Sequence, residues 1–150
     1  MIELPILNLP KYNFKIKNNN DTLYIYDHIR AKYIKLTPEE WVRQNYIEYL
    51  INEKNISHSL IAVEKEIIIN DLKKRFDIVV YNKDYNPEIL IECKAPNIKI
   101  AQNVFEQIAT YNIMLKCKYL VVTNGLNHYF CEVNPVNKEV KFIRNLPVFN

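Results

Sequence analysis

Three charged residues interrupt two apolar stretches of the sequence that are typical of buried β-strands. Asp77 lies within residues 75–81, and Glu92 and Lys94 close the next such stretch. Residues two apart on a strand point to the same face, so Glu92 and Lys94 are expected to project together, about 6–7 Å apart along the strand, with Cys93 in the opposite layer. Because an isolated buried charge is costly, charges on core strands are normally paired or bound to metal.

If the two strands are neighbours, the carboxylates of Asp77 and Glu92 meet. Adjacent carboxylates repel each other unless a cation lies between them or one of them takes up a proton. Mg²⁺ suits such a site, because it takes oxygen ligands, keeps several waters and needs only one or two carboxylates. Such an ion acidifies a bound water and stabilises charge on a phosphodiester during attack, while Lys94 orients the water or neutralises the phosphate. A structural ion pair at the end of a sheet is the alternative for each residue taken singly.

The sequence predicts a helix, three strands, a second helix and a further strand, in that order. The first helix has a strong start signal, with Thr37 as N-cap, Pro38 at the first helical position and Glu40 completing a capping box. Short polar connections between the first three strands favour antiparallel neighbours. The helices are predicted at residues 38–53 and 100–116, and the strands at residues 60–69, 75–81, 88–94, 119–123, 128–133 and 140–143.

The expected architecture is one α/β domain with a mixed central sheet of four or more strands, flanked by the two helices. Residues 37–150 form its core, and residues 1–36 are expected to add a β-hairpin extension packed on that core. Alternating apolar and polar residues at 14–17 and 22–26 predict the two hairpin strands, and a further short strand is expected near residues 33–35.

Composition narrows the possible functions. A chain of 150 residues fits one domain. Its formal charge of +3 is compatible with a nucleic-acid partner and equally with an ordinary solvated surface. Gly125 is the only glycine, whereas phosphate-binding loops need several glycines for close backbone approach. A self-contained ATPase, a helicase motor or a dinucleotide-binding enzyme is therefore not expected.

The three cysteines, Cys93, Cys117 and Cys131, are odd in number and lack CxxC spacing, so reduced and buried thiols are expected. No apolar run approaches the ~18 residues of a membrane span, and the N-terminus lacks the pattern of a signal peptide. These features predict a cytoplasmic protein without a membrane partner.

An Asp on one strand followed by Glu-x-Lys at the end of the next resembles the PD-(D/E)xK nucleases, and more narrowly the N-terminal nuclease domain of type I restriction enzyme R subunits. Phe76 stands where the family name has Pro, and this position is not a ligand. The similarity covers roughly residues 28–133, with the local matches in family order: residues 37–44, 75–81 and 91–96, Gln107 with Tyr111, and residues 123–125. The resemblance implies a restriction-endonuclease-like core.

The resemblance also implies roles for single residues. Asp77 and Glu92 correspond to the metal ligands, and Lys94 corresponds to the catalytic lysine. Gln107 and Tyr111 match the QxxxY element, and their spacing places both on one helix face. There they would hold a nucleic-acid phosphate or the lysine. A packed tyrosine beside a solvated glutamine is the alternative.

Two further carboxylates are weaker candidates. Glu48 lies on the first helix, in the region where related nucleases place an auxiliary metal ligand. An exposed helix glutamate is the alternative reading. Glu64, in the first core strand, is a similar but weaker candidate.

Together these features predict a DNA endonuclease that depends on Mg²⁺, or on Mn²⁺, and hydrolyses phosphodiester bonds. The expected partners are DNA, restriction-system subunits and, because related nucleases often pair to cut both strands, a second copy of the chain. One alternative is a catalytically silent module that binds nucleic acid or protein. Another is a repair or junction nuclease.

Overall fold

A computed structural model describes residues 3–149 of the chain. It contains two sheets and two α-helices. The strands are β1 (Ile16–Asn19), β2 (Thr22–Asp27), β3 (Lys32–Lys35), β4 (Ile61–Ile69), β5 (Leu72–Tyr81), β6 (Pro87–Cys93), β7 (Tyr119–Thr123), β8 (His128–Val133) and β9 (Val140–Ile143). The helices are α1 (Pro38–Asn52) and α2 (Gln102–Leu115), and a short 3₁₀ turn spans His58–Leu60.

The central sheet has six strands in the order β4-β5-β6-β7-β8-β9. Only β6 and β7 are parallel, because α2 connects them and returns the chain to the same end of the sheet. The two helices pack on opposite faces of this sheet and form two separate cores. The predicted mixed α/β class and the predicted order of the core elements are confirmed.

The start of α1 agrees with its sequence signal in one respect and differs in another. The Oγ1 atom of Thr37 accepts a hydrogen bond from the backbone N–H of Glu40 at 3.0 Å, as expected of an N-cap. The Glu40 carboxylate, however, contacts Arg30 and Arg43. The Glu40 carboxylate therefore belongs to a buried ion network. In a capping box it would instead accept a hydrogen bond from the backbone N–H of Thr37.

The N-terminal extension forms a three-stranded antiparallel sheet, β1-β2-β3, where the sequence predicted a hairpin with a further short strand nearby. Ile16, Ile25 and Ile34 are cross-strand neighbours in its central row, and Ile25 is fully buried. The third strand pairs with β2 because this apolar row extends across all three strands.

Other expectations about the chain also have structural outcomes. Cys93, Cys117 and Cys131 are buried and unpaired, as expected.

The turn between β7 and β8 contains Gly125 at a φ of 85°, a backbone conformation that favours glycine. Within residues 3–149, neither helix has the length and apolar character needed to cross a membrane.

Candidate active site

Asp77 lies where the ladder between β5 and β6 ends. The last paired residues are Ile78 and Ile91, and the same register places Asp77 opposite Glu92. The Oδ2 atom of Asp77 accepts a hydrogen bond from the backbone N–H of Cys93 at 2.8 Å. This contact fixes the carboxylate beside the end of β6.

Glu92 and Lys94 occupy the same end of β6. The Nζ atom of Lys94 lies 3.3 Å from Oε1 of Glu92, and the two side chains are 31% and 28% exposed, so a substrate can reach both. Leu90, two residues before Glu92, packs in the α2 core, whereas Cys93 packs in the α1 core. Glu92 therefore faces the α2 side of the sheet.

The proximity of the two carboxylates changes the acidity of one of them. Burial and the nearby charge of Asp77 raise the pKa of Glu92 to about 7, and the ammonium of Lys94 offsets only part of this rise. Without a cation, Glu92 therefore holds a proton up to nearly neutral pH. A bound cation would relieve the same repulsion.

Arg43 on α1, which was not among the residues predicted from the sequence, joins this site. Its Nη2 atom lies 2.6 Å from Oδ1 of Asp77 and 2.9 Å from Oε1 of Glu64, and Nη1 lies 2.7 Å from Oε1 of Glu40. Burial lowers the pKa of the guanidinium, but the charges of Asp77 and Glu40 outweigh burial and raise it above its ordinary value. Arg43 therefore stays charged and binds three carboxylates from three elements at 2.6–2.9 Å, with the Glu39 carboxylate further away at 3.6 Å.

A sequence signal for Arg43 did exist. Glu40 and Arg43 are one helical turn apart on the side of α1 that also carries Ile47 and Leu50, both buried. A charged pair on the apolar side of a helix needs a buried partner. The sequence alone could not identify that partner as Asp77.

The orientation of Asp77 follows from a reversal in β5. Phe76 packs in the α2 core, but Ile78, two residues later, packs in the α1 core. Regular alternation would place both on one face. Because the strand changes its facing between them, the Asp77 carboxylate reaches Arg43 on the α1 side while lying beside Glu92.

Glu64 lies at the corresponding point of β4. The register on either side places Glu64 opposite Asp77, although this pair is missing from the ladder. Its φ of 56° is left-handed, which is uncommon for a residue other than glycine and costs of order 1–3 kcal/mol. Its carboxylate contacts Arg43 at 2.9 Å and Arg75 at 3.1 Å. Glu64, the weaker of the two auxiliary candidates, thus contacts Arg43 at the site.

Glu48 does not reach Asp77 or Glu92. Its Oε2 atom accepts a hydrogen bond from Nδ2 of Asn52 at 3.1 Å. It lies five positions after Arg43, which corresponds to about 140° around the helix axis. Glu48 therefore points away from the side of α1 that contacts the site.

Gln107 and Tyr111 contact each other on α2. The Nε2 atom of Gln107 donates to the Tyr111 hydroxyl at 3.2 Å, and the Tyr111 ring packs edge-on against Phe76. They lie on the helix that covers the face to which Glu92 points. Among the described residues, no hydrogen bond or ion pair joins either side chain to Asp77, Glu92 or Lys94.

A chain of ion pairs connects the N-terminal sheet to the site. Arg30 contacts Oδ2 of Asp27 at 2.6 Å and Oε1 of Glu40 at 2.9 Å, and Arg43 continues from Glu40 to Asp77. Burial opposes ionisation of Asp27, but hydrogen bonds from Arg30 outweigh burial and lower its pKa. These ion pairs hold the N-terminal sheet in place relative to Asp77.

The carboxylates of Asp77 and Glu92 are the groups of this site that could bind a divalent cation, although both oxygens of Asp77 also have protein partners. Asp77 and Glu92 supply the one or two carboxylates that Mg²⁺ usually takes from a protein. Within the described part of the chain, no group of three or more His, Cys, Asp or Glu side chains is arranged to hold a metal ion. The remaining ligands would therefore be water or substrate oxygens.

Comparison with known families and structures places this geometry in context. The model of the family described as type I restriction enzyme R protein N terminus matches residues 38–147, which is most of the chain. The chain belongs to this family. The resemblance found in the sequence is thus confirmed, and Asp77, Glu92, Lys94 and Arg43 all lie within the matched residues of this R-protein N-terminal domain.

A solved structure also resembles this R-protein N-terminal domain. It is a fragment assigned to an HsdR subunit of a type I restriction enzyme from Vibrio vulnificus YJ016, with a TM-score of 0.52 and 20% sequence identity. The match covers 75% of this chain and 24% of that one, so the chain spans about a quarter of the length of its structural relative. At this identity the likeness shows a shared fold. Comparison with curated proteins finds no match.

Proposed function

We propose that this chain is a Mg²⁺- or Mn²⁺-dependent DNA endonuclease domain of the PD-(D/E)xK class. The observation that carries the proposal is the placement of Asp77, Glu92 and Lys94 together at the end of β6, where its ladder with β5 stops. Family membership supports the nuclease assignment, and the similarity to an HsdR fragment supports a restriction-endonuclease-like core.

Each residue of the site has a proposed role. Asp77 and Glu92 would hold the metal ion, which when bound supplies Lewis-acid stabilisation of the phosphate and an acidified water. Lys94 is partly exposed beside Glu92, so its ammonium can donate to the attacking water or to a phosphate oxygen. Gln107 and Tyr111 would contact a substrate phosphate from α2.

Arg43 is proposed to act as a positioning residue. It binds Oδ1 of Asp77 at 2.6 Å, while the backbone of Cys93 binds Oδ2. Both oxygens are thereby held in a fixed orientation relative to Glu92. Fixed placement of a ligand is what a site for in-line attack on phosphate requires.

The proposed partners follow from the family. They are DNA, the other subunits of a restriction system, and a second copy of the chain if both strands are cut. A repair or junction nuclease uses the same chemistry on other DNA structures. A cleavage assay on duplex, nicked and branched DNA separates these substrates.

A catalytically silent binding module is the second candidate, and one observation favours it. Both oxygens of Asp77 already have protein partners, the guanidinium of Arg43 and the backbone N–H of Cys93. If Arg43 excludes the cation, the fold would bind nucleic acid or protein without cutting. Binding of DNA in the absence of metal, with no cleavage of any substrate, is the expected result for this candidate.

The test is cleavage of supercoiled plasmid by the purified protein with Mg²⁺, Mn²⁺ or EDTA. We expect metal-dependent nicking that falls by about a hundredfold or more in Lys94→Ala, the usual effect of removing one stabilising group from a transition state. Lys83→Ala, an exposed lysine on the β5–β6 turn, is the control and should cleave like the unmodified protein.

The two candidates give opposite results in this assay. Nicking by Lys94→Ala at the unmodified rate would remove Lys94 from the mechanism. Absence of nicking by every variant, with DNA still bound, would replace the nuclease by the silent module.

A further inference from the structure

Lysine and tyrosine side chains occupy most of the outer face of the N-terminal sheet, with the Asn19–Thr22 pair and His28 beside them. The lysines and tyrosines form two rows of cross-strand neighbours, which in an antiparallel sheet point to the same side. Between these rows, Ile25 points to the opposite side and is fully buried. We call this surface the Lys–Tyr face; its rows contain Lys15, Tyr26 and Tyr33, and Lys17, Tyr24 and Lys35.

The side chains of the Lys–Tyr face contact one another. The Nζ atom of Lys17 lies 4.1 Å from the centre of the Tyr33 ring, and that of Lys15 lies 5.7 Å from the Tyr26 ring. The Tyr26 and Tyr33 rings meet edge to face at 5.2 Å, and Tyr33 remains 38% exposed. Rings and ammonium groups are therefore presented to solvent together.

The charge of the chain is concentrated in this part of the sequence. Residues 1–36 contain six Lys and Arg against three Asp and Glu, and residues 37–150 contain fourteen of each. The whole formal charge of +3 thus resides in the first 36 residues. The nuclease-like core is neutral, so its own net charge supplies no attraction for a polyanion.

The Lys–Tyr face is held in a fixed position relative to the candidate active site. Asp27 follows Tyr26 on β2 and points to the other side of the sheet, where it is fully buried. It accepts a hydrogen bond from Nε2 of Gln44 on α1 at 2.8 Å. The ion pairs from Asp27 through Arg30, already described, then reach the Arg43 and Asp77 pair.

We propose that the Lys–Tyr face binds a single-stranded segment of DNA. The lysines would contact successive phosphates, and exposed tyrosine rings would stack on bases. This inference rests on the proposed function for the choice of DNA as the polyanion. It adds a docking surface outside the site that the family resemblance identifies.

The combination of residues favours a single strand over a duplex. Lysines alone would suit the backbone of any nucleic acid. Aromatic rings gain from stacking only where base faces are accessible, as they are in single strands, and such stacking contributes about 1–3 kcal/mol per base. A face that alternates lysine and tyrosine provides both interactions at the spacing of a sheet.

The experiment is fluorescence anisotropy with a labelled oligonucleotide of mixed sequence, single-stranded or paired with its complement, in EDTA. The full chain is compared with the variant Lys15→Gln, Lys17→Gln, Lys35→Gln. We expect this variant to bind the single strand about tenfold more weakly or worse, and the slope of log K against log salt to fall by about 2, at about 0.7 per phosphate contact.

A second triple variant separates position from net charge. Lys83→Gln, Lys118→Gln, Lys141→Gln removes three exposed lysines elsewhere and should retain most of the affinity. A loss equal to that of the first variant would overturn the proposal, because the effect would then be one of overall charge.

Tyr33 tests the stacking component. Tyr33→Leu should weaken single-strand binding about fivefold or more, whereas Tyr33→Phe, which keeps the ring, should bind normally. Equal affinities for the two variants would overturn the stacking role, and an equal or larger loss on duplex DNA would overturn the choice of a single strand. The binding measurements involve neither metal nor cleavage. They therefore test the Lys–Tyr face even if the chain proves to have no nuclease activity.

Discussion

The candidate active site and the Lys–Tyr face use basic side chains in opposite environments. Arg43 is 7% exposed and lies within 2.6–2.9 Å of oxygens from Asp77, Glu40 and Glu64. Lys17, in contrast, is exposed on the N-terminal sheet, and its Nζ atom lies 4.1 Å from the centre of the Tyr33 ring. The first group of charges is desolvated and mutually dependent, and the second is solvated and independent.

The buried charges around Arg43 stabilise the fold, whereas the solvated lysines of the Lys–Tyr face are free to bind a partner. Removing one member of a buried network leaves uncompensated charges, which costs several kcal/mol. Removing a solvated lysine changes folding stability little, because water replaces its interactions. We therefore expect substitutions at the site to affect stability and activity together, and substitutions on the Lys–Tyr face to affect binding alone.

The largest expected effect is that of Arg43→Met. It leaves the carboxylates of Asp77, Glu40 and Glu64 without their shared cation, so the free energy of unfolding should fall by about 3–5 kcal/mol. Urea denaturation at neutral pH measures the change. Arg75→Met is a matched control, because Arg75 also pairs with Glu64 but is 61% exposed; its effect should be much smaller, since water screens an exposed ion pair. Similar losses for the two arginines would contradict the distinction between buried and solvated charge.

A smaller effect is expected from the pH dependence of the metal-free protein. The pKa of Glu92 is raised from an ordinary value of 4.5 to about 7 by burial and by Asp77. Its contribution to stability is therefore complete below about pH 4.5 and is lost as the pH rises through 7. The full change is on the order of 3 kcal/mol at most, and unfolding free energies in EDTA at several pH values measure it.

The matched variant for this prediction is Glu92→Gln, which cannot titrate. The difference in stability between the unmodified protein and Glu92→Gln should shrink or change sign between pH 5 and pH 8. Parallel stability curves for the two proteins would show that Glu92 does not titrate in this range.

The smallest effect is expected for Lys17→Gln on folding. Loss of its contact with the Tyr33 ring should change the unfolding free energy by less than about 1 kcal/mol, the value of an exposed cation–π pair. Thermal and urea unfolding measure this change. A loss comparable to that of Arg43→Met would mean that the N-terminal sheet depends on its outer face, and would remove the contrast between the two regions.

Some features of the site were predictable because they depend on local geometry. The alternation of side chains along a strand placed Glu92 and Lys94 on one side and Cys93 on the other, and the structure shows this arrangement. The N-cap at Thr37 was equally predictable. The metal-binding and catalytic roles of these residues stay predictions.

Other features were not predictable, because they depend on contacts between distant elements. Arg43 and Glu64 join Asp77 only because α1 packs against the point where β4 and β5 change their facing. The left-handed φ of Glu64 at that point has no signal in its sequence context, since Asn and Gly are the usual residues there. Glu48 was predicted as the auxiliary carboxylate from its position along α1. Which side of α1 faces the sheet depends on tertiary packing, and the sequence does not reveal it.

The sequence by itself determined the order of the elements, the α/β class, the family and the three charged residues, Asp77 within β5 and Glu92 and Lys94 at the end of β6. The elements and the class follow from periodicity, capping and spacing, which act over a few residues, and the family follows from the resemblance of the ordered local motifs. Only the tertiary structure decided which helix face meets Asp77, how the N-terminal sheet is tied to it, and which side of that sheet remains exposed. Those outcomes depend on the packing of elements far apart in the chain, and burial, rather than residue type, sets what each charge does there.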